Sequence, residues 1–126
     1  MVALRLAAIA AGAACVLAFA DGAQARSAYD GSWTVSVAGR SGACAGGNYS
    51  YNVQIVNGSV RYNGGDAQIS GRVSGGGGVV VRVVSGSSSA TGSGRLRGNS
   101  GGGTFRGYSQ QGACAGTWSS QRTGGY

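Results

Sequence analysis

The five-residue sequence Gly-Ala-Cys-Ala-Gly occurs twice in the chain, centred on Cys44 and on Cys114. The third cysteine, Cys15, lies in an N-terminal segment that has the features of an export signal. Because exported chains fold where disulfides form and persist, the other two cysteines predict one Cys44–Cys114 bridge. Closing a loop of about 70 residues stabilises a fold by roughly 4 kcal/mol. Reactive or metal-binding thiols are the alternative, but the sequence contains no Cys-x-x-Cys pair and no histidine.

The first 25 residues have the three parts of a secretory signal peptide. Arg5 provides a positive start, residues 6–19 are an apolar run rich in alanine, and Ala23-Gln24-Ala25 is a small-x-small cleavage site. A membrane anchor is the alternative, but the run is about four residues shorter than the ~18 that a spanning helix needs. We therefore expect a cleaved signal over residues 1–25, a single domain over residues 26–126, and a periplasmic or secreted protein.

Side chains that carry out acid–base chemistry are almost missing from the sequence. Histidine, glutamate and lysine are absent, and the only acids beyond the predicted signal are Asp30 and Asp66. General acid–base catalysis near neutral pH needs such groups, and a serine nucleophile needs an adjacent base. Two aspartates could serve a glycosidase, but both lie in glycine-rich sequences where aspartate commonly forms turns. The sequence therefore predicts a protein that is not an enzyme and that has no metal site and no cofactor.

Apolar and polar residues alternate along most of the chain beyond the signal, as in strands that bury one face. In the first half, the side chains expected to point inward are Trp33, Val35, Val37, Tyr49, Tyr51, Val53 and Ile55. In the second half they are Ala67, Ile69, Gly71, Val73, Val79, Val81, Val83, Ala90, Gly92, Gly94 and Leu96. Two further strands are expected near residues 103–108 and 113–121.

Two turn sequences predict how neighbouring strands are aligned. Asn57-Gly58 is typical of a type I′ hairpin turn, and Gly86-Ser87 has the leading glycine of type II′. The opposite pairs expected from these turns are Ile55 with Val60, Val53 with Tyr62, Val83 with Ala90, and Val81 with Gly92. All of these residues then lie on the inward face, so pattern and turns agree on the register.

About eight hairpin-connected strands predict an all-β antiparallel meander, and we favour a closed barrel over a sandwich because closure leaves no exposed edge. Trp33 and Trp118 are then expected to meet where the first and last strands pair. Small inward residues over 90–96 leave room for larger side chains or for a cavity. A disordered Gly/Ser linker is the alternative, but a linker has no reason to keep aromatic residues and regular alternation.

Positive charge is the feature of the outer face that suggests a partner. Residues 26–126 contain nine arginines and two aspartates, and Arg5 and Asp21 belong to the predicted signal. The candidate anion-binding residues, which alternate with inward positions, are Arg61, Arg72, Arg82, Arg95, Arg97 and Arg106. Guanidinium groups suit phosphate and carboxylate, so anionic components of the cell envelope or another exported protein are the expected partners. The alternative is that these charges only keep the protein soluble.

Nucleic acid is an unlikely partner for this outer face. Single-stranded nucleic acid is bound by exposed aromatic side chains interleaved with basic ones. Tyr49, Tyr51 and Tyr62 are instead expected on the inward face.

Five short sequences together resemble a family of small exported proteins from soil-dwelling Gram-negative bacteria. They are Tyr29-Asp30-Gly31-Ser32-Trp33, Gly42-Ala43-Cys44, Ser70-Gly71-Arg72-Val73, Gly92-Ser93-Gly94-Arg95-Leu96 and Cys114-Ala115-Gly116-Thr117-Trp118. The resemblance covers nearly all of the chain beyond the signal and implies export and an all-β fold. Some members carry a label that links them to haem utilisation or adhesion exoproteins. Among residues that hold haem iron, only tyrosines remain here, and these are expected in the core.

Three functions remain open at this point. The first is a non-enzymatic exported domain that binds a surface or another protein through its outer face. The second is a small-ligand carrier of the lipocalin or avidin type, with a cavity shaped by residues 90–96 and the tyrosines. The third is a periplasmic protease or lysozyme inhibitor that acts through loops at residues 38–47 and 99–102. An interior cavity favours a carrier, whereas a filled core with a protruding loop favours an inhibitor or adhesin.

Overall fold

The computed structural model describes residues 27–125, so the predicted signal peptide lies outside the described residues. Residues 27–125 form eight antiparallel strands, each paired with the next and the first paired with the last, which closes a barrel. The strands are β1 (Gly31–Gly42), β2 (Asn48–Val56), β3 (Ser59–Arg61), β4 (Gln68–Val73), β5 (Gly78–Ser85), β6 (Ser88–Arg97), β7 (Ser100–Ser109) and β8 (Gly112–Gly124). The predicted all-β fold with about eight strands is confirmed, and it is a barrel rather than a sandwich. In this part of the chain no helix is long and apolar enough to cross a membrane.

Both predicted hairpin turns form. Asn57 and Gly58 have φ angles of 52° and 79°, as a type I′ turn requires, and Ile55 lies opposite Val60. Gly86 has a φ of 60°, and the turn aligns β5 with β6 as expected. The confirmed opposite pairs there are Val83 with Ala90 and Val81 with Gly92.

One predicted pair is not part of the sheet. The β2–β3 ladder ends where Gln54 lies opposite Arg61, so the expected Val53–Tyr62 pair does not form. Tyr62 leaves the strand because its hydroxyl donates a hydrogen bond to Asp66 Oδ1 at 2.6 Å within the following loop.

The barrel closes along β1 and β8. Val37 lies opposite Trp118, and Trp33 lies opposite Arg122. The first and last strands therefore pair as predicted, but the two tryptophans are two inward positions apart rather than opposite each other. The Cys44–Cys114 disulfide joins the β1–β2 turn to β8, with Cα atoms 5.4 Å apart, and confirms the predicted bridge.

Two segments expected to be loops are partly strand. β1 continues to Gly42 and shifts register between Gly39 and Ser41, so only residues 43–47 connect it to β2. β7 begins at Ser100, so residues 98–99 alone connect β6 to β7. The loop prediction is confirmed for residues 43–47 and 99, which lie outside the strands. It is wrong for residues 38–42, which pair with β8, and for residues 100–102, which pair with β6 and β8.

The hydrophobic core lies inside the barrel. Trp33 is its largest fully buried side chain, with 1% of its surface exposed. The other buried hydrophobic residues are Val53, Ile55, Val60, Val73, Val79 and Leu96. These residues are grouped toward the end of the barrel where β1 begins, which leaves the other end less tightly filled.

Candidate functional site

The interior of the barrel contains a cavity of about 110 Å³. Its lining is almost entirely apolar, because every strand contributes inward side chains from its alternating pattern. The lining residues are Trp33, Val35, Val37, Tyr51, Val53, Ile55, Val60, Ile69, Val73, Val79, Val81, Val83, Ala90, Gly92, Leu96, Phe105, Trp118 and Ser120. All but three of these (Phe105, Trp118 and Ser120) belong to the inward set expected from the sequence.

Glycines on neighbouring strands determine where this cavity is filled and where it stays open. A Cβ added at Gly94 would come within 2.7 Å of Trp118 Cζ2, and one added at Gly116 within 2.7 Å of Phe105 Cε1. The carbonyl oxygens of Gly102 and Ala38 would come closer still, so the neighbouring backbone and these two rings together leave no room for side chains at Gly94 and Gly116. A Cβ at Gly92 would make only ordinary contacts, the nearest at 3.6 Å, so Gly92 borders unfilled space.

One end of the barrel, called here the closed end, is covered by Arg122 and by residues 27–30. The Arg122 guanidinium lies over the Trp33 ring, 5.0 Å from its centroid. Arg122 Nη1 donates to the Asp30 carbonyl oxygen at 2.8 Å, and Nη2 donates to the carbonyls of Ala28 and Gly98 at 3.0 and 3.1 Å. The Trp33 indole also donates to this segment, at the carbonyl oxygen of residue 29. These contacts hold the closed end shut.

The Asp30 carboxylate attaches the same segment to the β2–β3 turn. Its oxygens accept hydrogen bonds from the Asn57 and Gly58 amides at 2.8 and 3.1 Å and from the Ser27 hydroxyl at 2.6 Å. Burial by itself would raise the pKa of Asp30, but the bonds from Ser27, Asn57 and Gly58 outweigh it and hold the pKa below its ordinary value. Asp30 therefore stabilises a turn that is distant in sequence, a role that differs from the local turn expected for it.

The opposite end of the barrel, called here the mouth, is a wider pocket of about 370 Å³. Aromatic rings and the disulfide surround it, with Tyr49 half exposed and Tyr108 71% exposed. Five residues line both the mouth and the interior cavity: Val37, Tyr51, Val83, Ala90 and Phe105. The cavity and the mouth therefore meet at this ring of residues, which is called here the neck.

Two tyrosines near the mouth make a contact that positions one wall of it. The rings of Tyr51 and Tyr62 pack edge to face, with centroids 5.5 Å apart. The hydrogen bond to Asp66 raises the pKa of Tyr62, and burial followed by the charge of Asp66 raises the pKa of Tyr51. Both shifts favour the protonated phenols.

Ser120 is the polar exception in the cavity wall. Its side chain is on the inward face of β8, its surface is 9% exposed, and its hydroxyl has no hydrogen-bond partner within the described residues. The sequence prediction did not single out Ser120 or Arg122. The signal was available, because both follow Trp118 at steps of two along β8 and therefore share its inward face.

All six candidate anion-binding arginines lie on the outer face and are exposed: Arg61, Arg72, Arg82, Arg95, Arg97 and Arg106. The structure brings two of them together. Arg82 on β5 and Arg106 on β7 both lie opposite Thr91 on β6, which separates their backbones by about 10 Å. With the exposed Tyr108 they border a shallow outer groove.

The other arginines are spread over β3, β4 and β6 and do not share this groove. Arg95 donates from Nη1 to the Gly76 carbonyl oxygen at 2.9 Å, so it also contacts the β4–β5 loop.

Within residues 27–125 no three histidine, cysteine or acidic side chains are grouped as a metal site. No protein-family model, no curated protein and no solved structure matches the chain. The functional interpretation therefore depends on the contacts of the barrel alone.

Proposed function

We propose that the protein is an exported, non-enzymatic binding barrel that takes up a small apolar molecule through the mouth. The observation that supports this most directly is the asymmetry of the barrel. Arg122 and residues 27–30 cover the closed end, whereas the mouth meets the apolar cavity at the neck. Small-ligand sites in proteins are concave and mostly apolar, with few polar groups, and the interior of this barrel has that character.

The two volumes indicate the shape of the ligand. An apolar cavity of about 150 Å³ holds one benzene molecule in a well-studied case, so a cavity of about 110 Å³ suits something more slender than a ring. The mouth, at about 370 Å³, has room for a larger group between Tyr49, Tyr51 and Phe105. A ligand with a narrow apolar end and a wider or longer remainder fits both parts.

Binding of a neutral hydrophobic dye tests this function. We expect the methyl ester of parinaric acid, a neutral linear polyene without rings, to gain fluorescence with the oxidised protein and to be displaced by medium-chain hydrocarbons. Ala90 lines both the neck and the cavity, so Ala90→Phe is expected to narrow the passage and weaken dye binding at least tenfold. Thr91→Phe adds the same ring at the next residue, on the outer face, and is expected to leave dye binding unchanged.

Two results would contradict this function. Wild-type protein that fails to bind the dye, or an Ala90→Phe variant that is folded by circular dichroism and binds as well as wild type, excludes ligand uptake through the neck. If Ala90→Phe does not fold, Ala90→Leu replaces it, with Thr91→Leu as its control.

A second function, binding of anionic partners on the outer face, is favoured by one observation. Arg82, Arg106 and Tyr108 border one groove, which places two guanidinium groups and a phenol where a phosphate or carboxylate group on an envelope component can reach them. This surface and the cavity are on opposite sides of the sheet, so the two functions are compatible.

Retention on vesicles that contain phosphatidylglycerol tests the outer groove. Arg82→Gln with Arg106→Gln is expected to reduce retention several-fold more than Arg61→Gln with Arg97→Gln, which removes the same charge elsewhere. Equal loss from both pairs would mean that only the net charge acts, as the solubility alternative holds.

A further inference from the structure

The Ser120 hydroxyl is an unpartnered polar group in an otherwise apolar cavity wall. It is 9% exposed and its oxygen has no hydrogen-bond partner among the described residues. The two indole nitrogens in the same wall do have partners: Trp33 Nε1 donates to the Tyr29 carbonyl and Trp118 Nε1 to the Ser93 carbonyl. A buried hydroxyl without a partner is costly in an apolar interior, so this position needs an explanation.

Ser120 lies deep in the barrel. It is opposite Val35 on β1 and Gly101 on β7, one inward position beyond Trp118 when seen from the mouth. The next inward position along β8 is Arg122, which covers the closed end. A molecule that enters through the mouth therefore reaches Ser120 with its leading end, after passing the Trp118 ring.

A second unpartnered polar atom belongs to Arg122, the next inward residue after Ser120 on β8. Arg122 Nε is buried and has no hydrogen-bond partner in the described chain, although Nη1 and Nη2 donate to three carbonyls. A guanidinium nitrogen can only donate, and a serine hydroxyl can donate as well as accept. Arg122 is not among the residues that line the cavity, so a ligand in the cavity meets the Ser120 hydroxyl and has the positive charge of Arg122 beyond it at the closed end.

We propose that the deep end of the cavity receives a carbonyl oxygen at the leading end of a slender aliphatic ligand, and that the Ser120 hydroxyl donates the hydrogen bond to it. This inference rests on the proposed function, since it names the chemical class that the cavity selects. Aliphatic ketones and aldehydes have this form, with one acceptor at the end of an apolar chain. The positive charge of Arg122 at the closed end favours the negative end of the carbonyl dipole.

A matched pair of ligands separates this inference from the proposed function. In 2-octanone the leading carbonyl is an acceptor, and in 2-methyl-1-octene a methylene group of similar shape replaces that oxygen. Binding of each is followed by the change in tryptophan fluorescence, because Trp118 lines the cavity. We expect Ser120→Ala to weaken 2-octanone binding about five- to tenfold, as expected for one hydrogen bond, and to leave binding of the alkene unchanged or improved. Ser119→Ala removes the neighbouring hydroxyl from the exposed outer face and is expected to change neither.

Each outcome bears on one of the two proposals. If wild-type protein binds neither ligand, the proposed function fails. If it binds both, but Ser120→Ala weakens both equally or neither, the carbonyl preference is wrong while uptake of apolar ligands stands. The unliganded Ser120→Ala protein is expected to be at least as resistant to urea as wild type; a clear loss of stability would mean that the hydroxyl already has a structural partner, and would overturn the inference.

Discussion

The guanidinium of Arg122, on the last strand, lies over the indole ring of Trp33, on the first strand, 5.0 Å from the ring centroid. The contact combines a cation–π interaction with hydrogen bonds from the same guanidinium to three backbone carbonyls. The two strands that close the barrel are thus joined at one end by side chains as well as by their ladder.

Replacement of Arg122 is expected to destabilise the barrel strongly. Arg122→Met keeps most of the side-chain length but leaves the carbonyls of Ala28, Asp30 and Gly98 without their donor. We expect a loss of about 2–4 kcal/mol in the free energy of unfolding, measured by urea titration with tryptophan fluorescence. Arg97→Met, at an exposed position, serves as the control and should change stability by about 0.5 kcal/mol or less. Equal effects of the two variants would show that the Arg122 contacts contribute nothing.

Stability is expected to fall at acid pH because of Asp30. Its folded-state pKa lies below its ordinary value of 3.8, so its stabilising effect is complete above the ordinary pKa and is lost as pH falls through the folded one. Urea midpoints measured between pH 7 and pH 2 should therefore fall in the wild type and change less in Asp30→Asn. At pH 7 that variant should be about 2–3 kcal/mol less stable, since hydrogen bonds to a carboxylate are replaced by weaker ones. Asp66→Asn, at an exposed loop position, is the control, and an equal pH dependence in all three proteins would contradict the role of Asp30.

Two glycines on β6 should respond in opposite ways to the same substitution. A Cβ at Gly92 makes only ordinary contacts, whereas one at Gly94 comes within 2.7 Å of Trp118 Cζ2. Gly92→Ala is expected to raise stability by about 0.5–1 kcal/mol, because a flexible residue is replaced and unfilled space is reduced. Gly94→Ala is expected to cost about 1–3 kcal/mol through overpacking. Thermal unfolding of both variants checks this, and loss of stability in Gly92→Ala would mean that its surroundings are already filled.

Reduction of the Cys44–Cys114 bridge should destabilise the barrel without abolishing the strand pairing around it. The chain-entropy contribution of a loop of this length is roughly 4 kcal/mol. Backbone hydrogen bonds, such as that from the Ala43 amide to the Ala113 carbonyl at 2.8 Å, still hold the turn to β8. We therefore expect a loss of about 2–4 kcal/mol on reduction, and no titratable thiol in the oxidised protein. The double variant Cys44→Ser with Cys114→Ser should not respond to reductant; one that does would place the effect elsewhere.

The strands and their register could be predicted because the signals are local. Alternation decides which side chains of a strand point inward, and the φ requirements of Asn57-Gly58 and of Gly86 decide which residues lie opposite each other. Strand ends were less predictable. Residues 38–42 and 100–102 contain glycine and serine, which favour loops in isolation, but here they find partners on neighbouring strands.

The closed end and the cavity depend on contacts that pattern alone does not specify. Arginine is normally an outer residue, yet Arg122 lies at the end of the barrel, where backbone carbonyls accept its hydrogen bonds and the Trp33 ring faces its charge. The volume inside depends on how the Trp118 ring lies against Gly94 and Gly92. Such packing depends on side chains that are distant in sequence. The small inward residues therefore predict either a cavity or a filled core. The structure contains a packed core and a cavity beside it.

Because β1 pairs with β8, the interior cavity depends on the whole of the barrel-forming chain. Gly42 of the first strand and Cys114 of the last lie opposite each other. The interior is therefore enclosed only after the last strand has been synthesised and has paired with the first. Because such long-range pairing is slow compared with local hairpin formation, apolar faces stay open to solvent until the barrel closes. An apolar molecule present at that stage would first contact the open sheet, and the barrel would then close around it.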